Sequence, residues 1–210
     1  MSSQYSGYTD NVFINCPFDD QYKPLLNAII FTIFDCGFVA RSALEVEDGA
    51  EVRMDKIYRL IDDCKFGIHD LSRTELDETN QLPRFNMPLE LGCFLGAKRF
   101  GENKHKSKKA LILDVERYRY QAFISDIAGQ DIRAHNNDVN EVIRVVRNFL
   151  QRDSRRVTVP GANIIIEHYQ RFIQTLPQMA NDLRMDEEEL GFNDICILSS
   201  VWLTEAGEIE

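Results

Sequence analysis

The chain has 210 residues, of which 44% are hydrophobic and 28% are charged, a composition typical of a globular protein with a full apolar core. The formal net charge of −10 at pH 7 argues against nucleic acid as the main partner. The longest apolar run, residues 25–34, is too short to span a bilayer, and the polar first residues lack the features of a secretion signal, so we expect no membrane contact and no export.

The cysteines of the chain indicate its compartment, and the histidines bear on metal binding. The five cysteines show no CxxC spacing, and their odd number within apolar segments indicates reduced thiols in a cytoplasmic protein. The four histidines are not accompanied by a cysteine pair, so we predict neither a metal site nor a cofactor.

Strand and helix patterns alternate through the first 150 residues. Strands are predicted at residues 11–15, 38–41, 66–71, 110–113 and, weakly, 131–135. Helices are predicted at residues 22–36, 52–64, 86–100, 119–129 and 139–152. This alternation predicts an α/β fold with βαβ units and a mainly parallel sheet that is covered on both faces.

The pattern changes beyond Pro160. Residues 164–183 read as one or two amphipathic helices interrupted near Pro177, and an acidic segment follows. We therefore predict an α/β domain over residues 1–155 and a helical C-terminal extension over residues 156–210. The extension packs on the sheet domain, on a second subunit or on another protein, and the sequence does not separate these alternatives.

Glu90 is the first candidate for chemistry. It lies near the start of a predicted helix that is otherwise apolar, where a charged group is costly to bury unless something binds or pairs with it. In the alternative interpretation, Glu90 only complements the positive end of the helix dipole.

The loops that follow the first three strands supply further candidates. In an open parallel sheet, ligands bind outside the carboxyl ends of the strands, where these loops converge. The polar and aromatic side chains that they bring together are Asn15, Phe18, Asp20, Arg41, Arg53, Asp70, Ser72, Arg84, Asn86 and Glu90.

This set of side chains suits a ligand that contains a ribosyl group. Carboxylates accept hydrogen bonds from sugar hydroxyls, arginines bind phosphate, and an aromatic ring stacks on a base. Cleavage of an N-glycosidic bond passes through an oxocarbenium-like state that a carboxylate stabilises. Glu90 would be either a nucleophile at the anomeric carbon or a group that orients the ribose while water attacks.

Several candidates also have a purely structural interpretation. Asp70 would cap a turn, Arg53 would form a surface ion pair, and Phe18 would fill the core. Cys16 is interpreted as a structural thiol, because no histidine lies near it in the sequence. The lysine-rich segment 98–109 is either a phosphate-attracting patch or a solvated loop, and we favour the loop.

Four segments occur in an order that resembles a known superfamily. They are Val12-Phe13-Ile14-Asn15-Cys16-Pro17-Phe18, Arg53-Met54-Asp55-Lys56-Ile57, the strand ending in Asp70-Leu71-Ser72, and Asn86-Met87-Pro88-Leu89-Glu90-Leu91-Gly92. The chain resembles the group that joins nucleoside 2-deoxyribosyltransferases with the TIR-like domains of bacteria. The resemblance covers about residues 11–100.

This resemblance implies a flavodoxin-like three-layer fold that binds a nucleotide or nucleoside and cleaves its N-glycosidic bond. Members of the group include NAD hydrolases of bacterial antiviral defence, and such enzymes often work only after self-association, so a homo-oligomer is expected. By position, Glu90 matches the catalytic glutamate, Asp70 and Asn86 match residues that frame the pocket, and Phe18 matches the aromatic region after the first strand. The loop at residues 73–83 is longer than a transferase is expected to have, and Asp48 or Asp62 would have to replace the base-recognising aspartate.

Three functions follow from these observations. The first is an N-glycosidase that hydrolyses NAD, with Glu90 and Asp70 as catalytic residues. Its substrate-binding residues are predicted to be Asn15, Phe18, Asp20, Arg53, Ser72, Arg84 and Asn86. The second is a non-catalytic nucleotide sensor or adaptor, and the third is a nucleoside deoxyribosyltransferase.

Overall fold

The protein has an α/β fold built on a five-stranded parallel sheet. The computed structural model describes residues 7–46, 48–74, 84–153 and 159–207. Within these residues the strands follow the order β2-β1-β3-β4-β5. This is the strand order of flavodoxin-like proteins, and it confirms the predicted fold class.

The central strands are short and apolar, as expected of strands buried in a parallel sheet. The strands are β1 (Asn11–Asn15), β2 (Val39–Ser42), β3 (Phe66–Asp70), β4 (Lys109–Asp114) and β5 (Arg133–Ala134). The register of β1 on β3 runs from Val12 opposite Phe66 to Asn15 opposite His69. The carboxyl ends of these two strands therefore meet at one edge of the sheet, at the point where the strand order reverses.

The chain divides into two compact units. The first contains Met1–Tyr22 and Arg41–Asn137, and the second contains Lys23–Ala40 and Asp138–Glu210. The predicted domain boundary at residue 155 lies outside the described residues and stays a prediction.

The first unit contains helices α2 (Arg53–Asp63) and α3 (Asn86–Phe100). Ile57, Leu60 and Ile61 form the buried face of α2, with the spacing of an amphipathic helix. These residues pack with Phe13 of β1 and Phe94 of α3 in one apolar cluster. This packing fixes α3 against the sheet, and with it the position of Glu90.

The second unit contains helices α1 (Lys23–Asp35), α4 (Val139–Leu150), α5 (Ala162–Asp182) and α6 (Phe192–Glu205). Helix α1 packs on the other three. Phe31 of α1 stacks on Phe172 of α5 with 5.0 Å between ring centroids. The ring of Trp202 of α6 lies 5.7 Å from the ring of Phe31. A buried hydrogen bond between His168 and Asp35, 2.9 Å long, also joins α5 to α1.

Two predictions about local structure were wrong. Residues 119–129 form two short 3₁₀ turns and not a helix, because their apolar side chains Tyr120, Phe123 and Ile124 turn toward the cluster around Leu91. Helix α5 continues through Pro177 without the predicted interruption.

Candidate functional site

The candidate site lies in the first unit, at the carboxyl ends of β1 and β3. The segment after β1 carries Phe18, Asp19 and Asp20, and the segment after β3 carries Ser72 and Arg73. The switch point between two such strands is where flavodoxin-like proteins place their ligands.

Glu90 lies in the second turn of α3, since that helix begins at Asn86. Its side chain is only 8% exposed, and its Oε1 atom is 3.9 Å from Nη2 of Arg53, whose side chain is 58% exposed. Glu90 therefore lies beyond the first turn, where an acidic side chain would complement the positive end of the helix dipole, and the dipole does not explain its position. The carboxyl group is nearly buried, and its only ion pair within the described residues is long.

The surroundings of Glu90 change its acidity. Burial raises the pKa of this carboxyl to about 7, and the opposing effect of the Arg53 guanidinium is smaller. At neutral pH the group is therefore present in both protonation states.

Asn15 anchors the start of α3 to the end of β1. Its Nδ2 atom donates to the backbone carbonyl of Met87 at 2.9 Å and to Nδ1 of His69 at 3.0 Å. Both amide protons are thereby used inside the protein, and the side chain is buried. Because Met87 precedes Glu90 by one helical turn, Asn15 helps to set the position of Glu90.

His69 fills the space between β3 and α3. Its ring lies 4.9 Å from the ring of Phe94, and burial, followed by the charge of Lys108, lowers its pKa to about 3. Gly67 makes this close packing possible, since a Cβ atom there would lie 2.5 Å from Nε2 of His69. His69 is therefore part of the support beneath α3.

Asp70 has many more partners than Glu90. Its Oδ2 accepts from the hydroxyl of Tyr22 at 2.6 Å and lies 3.0 Å from Nε2 of His135. Its Oδ1 accepts from the backbone N–H of Ser72 at 2.8 Å and from the Ser72 hydroxyl. Burial alone would raise the pKa of Asp70, but the hydrogen bonds from His135, Ser72 and Tyr22 outweigh it, so the pKa is lowered.

His135 completes the network around Asp70. Its Nδ1 accepts from the backbone N–H of Asn137 at 3.0 Å, so Nε2 carries the ring proton that faces Asp70 and the Ser72 oxygen. The network joins the segments that follow β1, β3 and β5. Side chains alternate along β3, so Asp70 is directed away from the face on which His69 meets α3.

Asp19 lies between two arginines. Its Oδ1 is 3.3 Å from Nη2 of Arg73, and its Oδ2 is 3.6 Å from Nη1 of Arg84. Nη2 of Arg73 also donates to Oε1 of Gln21 at 2.6 Å. Asp19, Arg73 and Arg84 thus form a cluster in which one carboxylate lies near two guanidinium groups.

Cys16 lies within electrostatic reach of several of these carboxylates. Burial raises its pKa well above the usual value, and the charges of Asp70, Glu90 and Asp19 raise it further. A thiol in this environment stays protonated and is a poor nucleophile. The interpretation of Cys16 as a structural residue agrees with this placement.

The structure brings some of the predicted residues together. It pairs Glu90 with Arg53 and Asp70 with Ser72, and it buries Asn15 against the backbone of α3. The residues at the surface are Phe18, Asp20, Arg84 and Asn86. The exposure of Phe18 speaks against a role as a core residue. Residues 75–83, most of the loop predicted to be long, lie outside the described residues.

Four residues of this region were not predicted from the sequence: Asp19, Tyr22, Arg73 and His135. The rule that loops converge at the carboxyl ends of parallel strands could have found three of them, because Asp19 and Arg73 lie in loops that were considered, and His135 follows β5. No local signal marks Tyr22, whose partner Asp70 is 48 residues away.

We compared the chain with protein-family models, curated proteins and solved structures, and found no match in any of the three. Among the described residues, no helix combines the length and apolar character needed to cross a membrane. The same residues contain no group of three His, Cys, Asp or Glu side chains arranged to hold a metal ion.

Proposed function

We propose that this protein cleaves the N-glycosidic bond of a nucleotide, with NAD as substrate and nicotinamide and ADP-ribose as products. The observation that carries the proposal is the Glu90 carboxyl, which is nearly buried at the switch point and whose pKa is raised to about 7. Carboxyls whose pKa is strongly raised by burial cluster at functional sites.

The proposed chemistry depends on the charge of Glu90. Departure of nicotinamide leaves positive charge on the ribose, and an ionised carboxylate in a poorly solvated position stabilises that charge more strongly than one in water. Arg53 favours the ionised form of Glu90. Glu90 either attacks the anomeric carbon or orients the ribose for attack by water.

Asp70 contributes indirectly in this proposal. Its carboxylate is fully buried and hydrogen-bonded to Tyr22, Ser72 and His135, so it holds the loops around the site in place. The direct catalytic role predicted for Asp70 stays a prediction. The exposed residues Phe18, Asp20, Arg84 and Asn86 remain proposed contacts to the substrate, as does Arg53.

The test is release of nicotinamide from NAD by purified protein at high concentration. We expect turnover in the wild type and none in Glu90→Gln, which keeps the shape of the side chain and removes its charge. Glu102→Gln is the matched control, because Glu102 is an exposed acid just past the end of α3. Unchanged turnover in Glu90→Gln, with a native circular dichroism spectrum, would disprove the assignment.

A nucleotide sensor or adaptor is the second candidate. It is favoured by the second unit, which has its own aromatic cluster and an acidic turn at Glu187–Glu189 and offers surface beyond the needs of a small enzyme. Saturable binding of a nucleotide in calorimetry, without any product, would favour this function. Exchange of a labelled nucleobase would instead indicate a deoxyribosyltransferase.

The proposal also covers the compartment, the oligomeric state and the biological role of the protein. We propose a cytoplasmic homo-oligomer that takes part in bacterial antiviral defence by depleting NAD, as the resemblance to TIR-like domains implies. The net charge of −10 makes nucleic acid an unfavourable partner.

A further inference from the structure

One nitrogen of the His69 ring has a hydrogen-bond partner and the other has none. Nδ1 lies 3.0 Å from Nδ2 of Asn15. Nε2 makes no hydrogen bond within the residues that the structure describes, although the side chain is fully buried. A buried polar atom without a partner destabilises the fold, so the presence of a histidine at this position needs a reason.

The hydrogen bonds of Asn15 determine which nitrogen of His69 carries the proton. The amide nitrogen of Asn15 donates to the carbonyl of Met87 at 2.9 Å, so its second hydrogen is directed at Nδ1 of His69. Nδ1 therefore accepts a hydrogen bond and has no proton. Burial, followed by the charge of Lys108, lowers the pKa of the ring to about 3, so the ring is neutral at pH 7 and Nε2 carries its one proton.

The surroundings of Nε2 are apolar. A Cβ atom at Gly67 would lie 2.5 Å from Nε2 of His69 and 2.9 Å from two ring carbons of Phe94. The rings of Phe94 and Phe13 lie 4.9 and 5.9 Å from the His69 ring. An apolar side chain of similar size would fill this space without an unpartnered N–H, so packing alone does not explain the histidine. What an apolar side chain would lack is the acceptor at Nδ1.

We propose that His69 is a positioning residue of the Glu90 site, because its Nδ1 atom orients the Asn15 amide that holds the Met87 carbonyl in the first turn of α3. Without an acceptor at this point, the second N–H of Asn15 would be buried and unpaired, and the amide would turn away from α3. Met87 lies one helical turn before Glu90, so a shift of Met87 moves the Glu90 carboxyl. The role of Glu90 in this inference rests on the proposed function, whereas the hydrogen bond between Asn15 and His69 does not.

The first experiment determines the tautomer of His69 by ¹⁵N NMR of the histidine rings at pH 7, with His69→Leu to assign the signals. We expect Nε2 to carry the proton, and we expect the ring to stay neutral when the pH is lowered to 5. A proton on Nδ1, or a ring that titrates near the usual histidine value of about 6.5, would overturn the proposal.

The second experiment compares His69→Leu with His69→Asn. Asparagine places its side-chain oxygen near the position of Nδ1 and keeps an acceptor for Asn15, whereas leucine fills more of the space and accepts nothing. In His69→Leu, kcat for NAD should fall about tenfold or more, and the pKa of Glu90 should move from about 7 toward 4.5 as water reaches the carboxyl. In His69→Asn, kcat should stay within about threefold of the wild type, with the pKa of Glu90 near 7.

Two readouts distinguish positioning from a purely structural role. His69→Asn leaves a larger cavity and should unfold at a lower temperature than His69→Leu, so the order of stability is opposite to the order of kcat. KM should change little in either variant, because His69 is buried and contacts no ligand. His168→Leu is the matched control, since His168 is a buried histidine of the second unit that bonds Asp35. It should lower the unfolding temperature and leave both kcat and the titration of Glu90 unchanged.

The outcomes separate this inference from the proposed function. If His69→Leu hydrolyses NAD as the wild type does, or if the two His69 variants have the same kcat and the same Glu90 titration, the positioning role is overturned and the proposed function stands. If the wild type hydrolyses no NAD but the tautomer and the Glu90 titrations are as expected, the positioning role stands and the proposed function fails.

Discussion

Asp70 and Glu90 are two buried carboxyls in the same unit, and their surroundings differ in a way that separates their roles. Asp70 accepts hydrogen bonds from Tyr22, Ser72 and His135, and its pKa is lowered. Glu90 has one long ion pair to Arg53, and its pKa is raised to about 7. The number of partners, more than burial itself, decides whether such a group stabilises the fold or stays available to a ligand.

The two carboxyls should have opposite effects on stability as the pH changes. Asp70 has a lowered pKa in the folded state, so its contribution is present above the pKa of the unfolded chain and is lost as the pH falls through the folded pKa. Glu90 has a raised pKa, so the folded state binds more protons between the two values and loses stability as the pH rises from about 4.5 to about 7.

The largest expected effect is that of Asp70→Ala. The change leaves the buried donors of Tyr22 and Ser72 without their acceptor, removes one of the two acceptors of His135, and should reduce the free energy of unfolding by about 3–5 kcal/mol. Urea unfolding at pH 7 measures this loss. Asp20→Ala, at an exposed acid after β1, should change stability by about 0.5 kcal/mol or less. Equal losses in both variants would contradict the structural role of Asp70.

At high pH, Glu90→Gln should raise the free energy of unfolding relative to the wild type, opposite in sign to the effect of Asp70→Ala. A shift from 4.5 to about 7 corresponds to a free energy on the order of 3 kcal/mol, at about 1.4 kcal/mol for each pKa unit. The stability of Glu90→Gln relative to the wild type should therefore rise by roughly this amount between pH 4.5 and pH 8. Parallel stability curves over this range would show that Glu90 has an ordinary pKa.

The rate of NAD cleavage should rise with pH and level off above about 7, because Glu90 acts in its ionised form. At pH 5 the ionised fraction, and with it kcat, should be about 100-fold below the plateau. Arg53 lowers the pKa of Glu90, so Arg53→Gln should move the profile to higher pH, whereas Glu102→Gln should leave it in place. A rate that falls with increasing pH would indicate that Glu90 acts as an acid on a different leaving group.

Asn15→Ala tests the connection between β1 and α3. The change leaves Nδ1 of His69 without its donor and removes the side-chain bond to the Met87 carbonyl, which still belongs to the hydrogen-bond ladder of α3, and should cost about 1–3 kcal/mol of stability. Because Glu90 is one turn from Met87, kcat should fall more than the affinity for NAD. Asn140→Ala, at an exposed helical position of α4, is the control and should behave as the wild type. A loss of affinity with unchanged kcat would instead make Asn15 a substrate-binding residue.

The periodicity of apolar residues predicted most of the fold. The predicted bounds of β1 and α3 agree with the structure, since Pro17 follows soon after β1 and Gly101 directly follows α3. The pattern misled at residues 119–129, where the apolar side chains of Tyr120, Phe123 and Ile124 pack into a neighbouring cluster from short turns. A pattern of apolar residues indicates which side chains are buried, and buried side chains also occur in short turns.

Distant contacts explain what the sequence did not predict about the site. Glu90 was identified because a charge in an apolar helix is conspicuous, but the hydrogen bonds of Asp70 to Tyr22 and His135 join residues far apart in the chain. Lys108 is a further example. It lies in a segment that we interpreted as a solvated loop, yet it is buried and donates to the carbonyls of Ile61 and Cys64 at the end of α2.

A titration of the side-chain carboxyl carbons by ¹³C NMR, with Glu90→Gln to assign the signal, tests whether Glu90 is the carboxyl that is available for chemistry. We expect Glu90 to titrate near pH 7 and Asp70 to stay ionised to a pH below the usual range of an aspartate. A Glu90 signal that titrates near pH 4.5, together with an Asp70 signal that titrates above the usual range of an aspartate, would contradict this expectation.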